Sequence, residues 1–78
     1  MKKIYIAKVL VEDIDCNSCS VEVFPTQDDA KTWAKEEIQI YADEYDGDVK
    51  PSEDQLHFGM ESGDTYVTID IEEKEINL

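Results

Sequence analysis

Residues 25–47 read PTQDDAKTWAKEEIQIYADEYDG, and this stretch decides the fold. Pro25 interrupts an extended run, and Thr26 offers a side-chain oxygen to cap a helix. Asp28 and Asp29 suit the positive end of the helix dipole, and Asp29 stands where a capping box places its acid. Ala30, Trp33, Ala34, Ile38, Tyr41, Ala42 and Tyr45 then share one helical stripe. Lys31, Lys35, Glu36, Gln39 and Asp43 fall largely off it. Gly47 supplies the stop, which gives a helix of about five turns.

Extended segments flank this helix. From Lys2 to Val11, Tyr5, Ala7, Val9 and Val11 alternate with Ile4, Ile6 and Leu10, so the strand is apolar on both faces and belongs inside a sheet. Ser20 to Phe24 resumes the alternation. A hairpin pairing Val9 with Val23 and Val11 with Val21 would put all four valines on one face, whereas a one-residue slip would turn Ile6 and Leu10 inward. After a polar connection over residues 46–54, Leu56, Phe58 and Met60 alternate, as do Val67, Ile69 and Ile71. Glu61-Ser62-Gly63-Asp64 lies between them as a turn; centring it on Ser62-Gly63 pairs Phe58 with Val67 and Leu56 with Ile69. Residues 72–78 continue as an acidic tail. The expected architecture is a single α+β domain over residues 1–78. Its order is β-β-α-β-β: a four-stranded, mainly antiparallel sheet with one helix on one face. The two-sided first strand suits a central position beside the fourth.

The 78 residues include 20 acidic and 7 basic side chains, and the net charge is −13. A chain so charged is not expected to grip nucleic acid phosphates or an anionic membrane. The acids lie mainly off the apolar stripes, so they coat a folded domain. No apolar run approaches the roughly 18 residues of a membrane span. Met1-Lys2-Lys3 and the strand after it resemble a signal peptide only superficially: Lys8 interrupts the run and no small-residue cleavage site follows. A cytoplasmic location is the expectation.

Cys16-Asn17-Ser18-Cys19 has thiolate spacing suited to zinc or redox chemistry. Zinc needs four ligands, His57 is the one histidine, and a redox pair normally opens a helix. An ordinary hairpin turn is the reading adopted, with Cys16 and Cys19 kept as the alternative metal or redox pair. His57 lies between Leu56 and Phe58 and should face away from the core. Residues 42–53 fail as a calcium loop, because Ala42 stands at the first ligand position. Neighbouring acids such as Glu36-Glu37 lack the cleft that glycosidase chemistry requires. Neither a catalytic role nor a cofactor is expected.

The acidity carries the functional expectation. Asp28, Glu36, Asp43, Asp46 and Asp48 form one candidate partner-binding row, diluted by Lys31 and Lys35; Glu72, Glu73 and Glu75 form another. Such rows suit a basic protein partner, including a nucleic-acid-binding one whose groove they occupy in place of DNA. Size, charge and layout resemble small acidic proteins of phages and mobile elements, among them certain anti-CRISPR and anti-restriction proteins. The resemblance implies a DNA mimic; no motif carries a particular residue role with it. A second expectation is an accessory domain that forms a homodimer, because one helix cannot cover Ile4, Ile6 and Leu10 as well. Residues 1–27 hold 4 acids and 3 lysines, while residues 28–78 hold 16 and 4. A basic partner should therefore meet the helix and the second hairpin.

Self-repulsion at −13 works against the compact state. Moderate salt, or mild acidification short of unfolding, should raise the melting temperature. A melting temperature that falls steadily from low to moderate salt contradicts this.

Overall fold

A computed structural model describes residues 2–13 and 17–77. The elements are β1 (Lys2–Glu12), β2 (Asn17–Phe24), α1 (Gln27–Tyr45), β3 (Asp48–Pro51), β4 (His57–Ser62) and β5 (Thr65–Ile76). They build an antiparallel sheet of five strands in the order β2-β1-β5-β4-β3, with α1 across one face. The α+β class holds, and β1 lies inside the sheet beside β5, as its two-sided pattern suggested. The stretch that resembles a signal peptide is β1 itself.

The helix forms for the reasons its sequence gives. Thr26 is extended, and its Oγ1 accepts from the Asp29 N–H at 3.2 Å. Ala30, Ala34, Ile38 and Ala42 are buried in a straight line along α1. Three alanines on that line let the helix backbone approach the sheet closely. Ile38, 1% exposed, plugs the centre against Phe58, Met60, Val67, Ile69, Ile71, Ala7 and Val9. At the near end Trp33 packs on Phe24, with ring centroids 5.5 Å apart.

Two expectations need correction, and the register left open in the first hairpin is fixed. The sheet has five strands rather than four, because residues 48–51 pair with β4. Val49 is the one apolar residue in Asp48–Lys50, so no alternation announces β3. Pro51 ends it on the sheet edge, where a missing N–H costs little. The second hairpin pairs Phe58 with Ile69 and Met60 with Val67 around a Gly63-Asp64 loop. That is two residues from the expected register, so every side chain keeps its expected face. Gly63 takes φ 58, which glycine adopts without a steric penalty. The first hairpin pairs Val9 with Ser20, Ile6 with Val23 and Lys8 with Val21. That shift is odd, so Val21 and Val23 lie on the face away from α1. Trp33 meets Phe24 and not those valines.

The registers define the helix-free face. On β1 and β2 it carries Ile4, Ile6, Leu10, Cys19, Val21 and Val23. Its lysines are Lys2, Lys8, Lys50 and Lys74; its acids are Glu12, Asp48, Glu61, Asp70 and Glu72. The face is nearly balanced in charge although the chain carries −13.

The helix ends at Asp46, which is left-handed (φ 55, ψ 47). The Gly47 N–H then turns back to the Ala42 carbonyl at 2.9 Å. Gly47 is required by close approach. A methyl group there would overlap the Met60 sulfur and lie 2.8 Å from the Glu61 carbonyl oxygen. A methyl group on Gly59 would meet nothing nearer than the Lys50 carbonyl at 3.9 Å. Gly47→Ala should therefore cost about 1–3 kcal/mol in urea unfolding. Gly59→Ala should be neutral or stabilise by up to about 1 kcal/mol. Equal effects of the two substitutions would refute this account of Gly47.

Candidate functional site

The buried line of α1 fixes where its charges go. At about 100° per residue, the ridge farthest from the sheet carries Asp29, Glu36 and Asp43. All three are exposed and recur every seven residues. Asp28 lies on the same outward side, and Gln39 Nε2 donates to Asp43 Oδ1 at 3.0 Å. Lys31 and Lys35 flank the ridge on one side by about 100–140°. They interrupt it less than the linear sequence suggested. Asp29 and Glu44 belong to this surface although the sequence row omitted them; the seven-residue spacing from Asp29 was the available signal. A shallow depression lined by Lys35, Glu36, Gln39, Ile40 and Asp43 marks the middle of the outer helix surface.

The rest of the first row diverges. Asp46 is exposed at the helix cap, continuing the ridge end. Asp48 leaves it, because β3 carries it to the helix-free face opposite Glu61. The second row is split between the two faces of the sheet. Glu72 points away from the helix and pairs with Lys8 at 3.0 Å. Glu73 points to the helix side, where Lys3 lies at 3.6 Å and the Tyr5 hydroxyl donates to it at 3.1 Å. That hydrogen bond is the main reason the Tyr5 hydroxyl pKa is raised. Glu75 stands opposite Lys3. Strand alternation thus turns a run of acids into two sparser sets, each beside a lysine.

Cys19 is a free, exposed thiol on the helix-free face, paired in register with Leu10. Cys16 lies outside the described residues, so the CxxC pair is not on view. Among the described residues no group of three or more His, Cys, Asp or Glu side chains is arranged to hold a metal ion. Ala42, at the first position of the apparent calcium loop, is buried against the sheet.

His57 is exposed, as its place between Leu56 and Phe58 predicts. Its Nδ1 lies 2.5 Å from Asp70 Oδ1, its direct cross-strand partner. A hydrolytic triad would need a hydroxyl at the other ring nitrogen. The Ser52 hydroxyl instead donates to Asp54 Oδ1 at 2.6 Å and accepts from the His57 backbone N–H at 3.1 Å. Those contacts organise the β3–β4 loop. Asp54 also accepts from the Leu56 N–H, and the Ser52 and Leu56 hydrogen bonds hold its carboxyl pKa down.

No protein-family model, curated protein or solved structure matches this chain. Among the described residues no helix is long and apolar enough to cross a membrane.

The hydrogen bond to Asp70 raises the His57 pKa; partial desolvation opposes it, and the charges of Asp70 and Asp54 add to it. Folding therefore favours the protonated ring. The stabilisation is fully present below the unfolded value of about 6.5 and fades as pH rises through the higher folded value. An NMR titration should place His57 above its ordinary value, and Asp70→Asn should bring it down. An unshifted His57, or no response to Asp70→Asn, counts against the pair.

Proposed function

We propose that this protein is a non-enzymatic acidic binding module whose helix ridge engages a basic protein surface. The observation that carries the reading is the seven-residue repeat of Asp29, Glu36 and Asp43 on the outermost line of α1. Exposed carboxylates on a rigid element need no rearrangement before they meet Lys and Arg side chains. They also speed encounter with a basic partner, an effect that salt weakens.

Charge density favours the broad form of this reading over strict mimicry of a duplex. From Asp28 to Glu44 the helix rises about 24 Å. Its six acids are offset by Lys31 and Lys35. The net spacing is one charge per about 6 Å, against one per about 1.7 Å of duplex axis. A groove built for duplex DNA would find too few charges here. A patch of a few Lys and Arg side chains is better matched.

The test is affinity capture at low salt with the immobilised protein, followed by identification of the retained proteins and elution with salt. A basic protein should be retained and then released by salt. Replacing the ridge acids together (Asp29→Asn, Glu36→Gln, Asp43→Asn) should weaken its binding about tenfold, as three exposed pairs of about 0.5 kcal/mol each imply. Glu72→Gln, on the opposite face, should change it little. Capture of no basic protein, or binding indifferent to the ridge, would sink the proposal.

A further inference from the structure

The helix-free face differs from the rest of the surface in two ways at once. It is apolar in its β1–β2 half, where Leu10, Val21 and Val23 are 38%, 53% and 57% exposed and Ile4 and Ile6 are half-buried. It is also nearly neutral, and its charges are largely matched within the chain. Lys8 meets Glu72 at 3.0 Å, Lys50 meets Glu61 at 4.0 Å, and His57 meets Asp70 at 2.5 Å. The apolar residues fill the half of the face at the β2 edge and the matched charges lie mainly in the other half; an apolar patch bordered by satisfied polar groups suits a protein interface.

We infer that this face binds the same face of a second copy, forming a symmetric dimer stacked sheet on sheet. Charge selects this occupant. Two chains of −13 repel each other through nearly any other approach. Stacked here, they meet where charge is balanced, and both acidic helices point outward. The helix layers then lie roughly 30 Å apart, at three layer spacings of about 10 Å. That distance is several Debye lengths at physiological salt.

The area is sufficient. Five strands spaced about 4.8 Å, over eight residues of about 3.4 Å, give a face of roughly 650 Å² per copy. The total of about 1,300 Å² lies within the range of stable interfaces. The contact is isologous, so it closes at two copies. It leaves both helix ridges free, and so it stands or falls independently of the basic-partner reading.

Sedimentation of the full chain at about 100 µM, well above a dissociation constant of order 10 µM, tests this. The expected species has twice the 9.0 kDa chain mass. Raising salt from about 0.01 M, where the Debye length is about 30 Å, to physiological strength should strengthen it by screening the helices. Leu10→Lys with Val21→Lys should give a monomer with an unchanged circular dichroism spectrum. Both substitutions reduce the negative charge, so added self-repulsion cannot explain the loss. Ile40→Lys, on the outer helix surface, should leave the dimer intact. Backbone NMR shifts of the unmodified chain on dilution should move at residues 4–10 and 19–23, which tests the face without any variant. A wild-type monomer at this concentration, a dimer that survives the double substitution, or dilution shifts confined to α1 would overturn the inference.

Discussion

The β1–β5 ladder is the constraint on which the rest depends. It pairs Lys2 with Ile76 at one end and Glu12 with Tyr66 at the other, without a break. Every other strand joins the sheet through one of these two: β2 on β1, β4 on β5, and β3 through β4. The pairing also divides the side chains into two populations. Ala7, Val9, Val67, Ile69 and Ile71 form the floor under α1, while Ile6, Lys8, Leu10, Asp70 and Glu72 form the reverse. Because the first strand pairs with the last, the floor is complete only when distant segments meet, and such non-local closure slows folding.

What was legible in the sequence follows from what periodicity encodes. The helix was legible because its apolar stripe, its Thr26 cap and its acidic first turn all agree. The faces of β4 and β5 were legible because alternation reports parity; on β1, apolar on both sides, alternation separated two sets without saying which meets the helix. Register was not legible, because parity is blind to a shift of two. In the second hairpin that blindness was harmless: Phe58 faces Ile38 whether it pairs with Val67 or Ile69. In the first the shift is odd, so it moves side chains to the other face, and it was decisive. Ser18, Ser20 and Glu22 stand on the helix side and Val21 and Val23 on the reverse, so β2 runs against the expectation that valines face the core. Helix α1 packs mainly over β1, β5 and β4, which leaves little core at β2 for a valine to enter. β3 was invisible for a simpler reason: one valine between Asp48 and Lys50 carries no period.

The candidate site was legible in part. Asp28, Glu36 and Asp43 lie on the outer helix because the buried stripe leaves them nowhere else. Asp48, Glu72, Glu73 and Glu75 read as neighbours of other acids along the chain, yet the sheet separates them. Strand geometry sends adjacent residues to opposite faces, and antiparallel pairing sets Lys3 and Lys8 beside Glu73 and Glu72. A linear count of acids cannot anticipate this, since the lysines come from the other end of the sequence. The acidity of residues 72–75 is thereby largely committed within the molecule, while that of the helix ridge is turned outward.

This unequal commitment ties the two faces together. An exposed apolar pair of strands with a free β2 edge is ordinarily an invitation to open-ended association, which natural sheets block with charge or bulges. Here the blocking charge is not on the apolar face itself, where Lys8 and Asp70 sit beside partners. It lies behind the sheet, on α1. Repulsion from that side disfavours edge-to-edge or helix-to-sheet growth, in which acidic layers would approach one another. A stack with both helices outward escapes it. On the two proposals made here, one helix layer serves two ends: its carboxylates would face a basic partner, and their field would limit the sheet behind them to a contact that closes on itself.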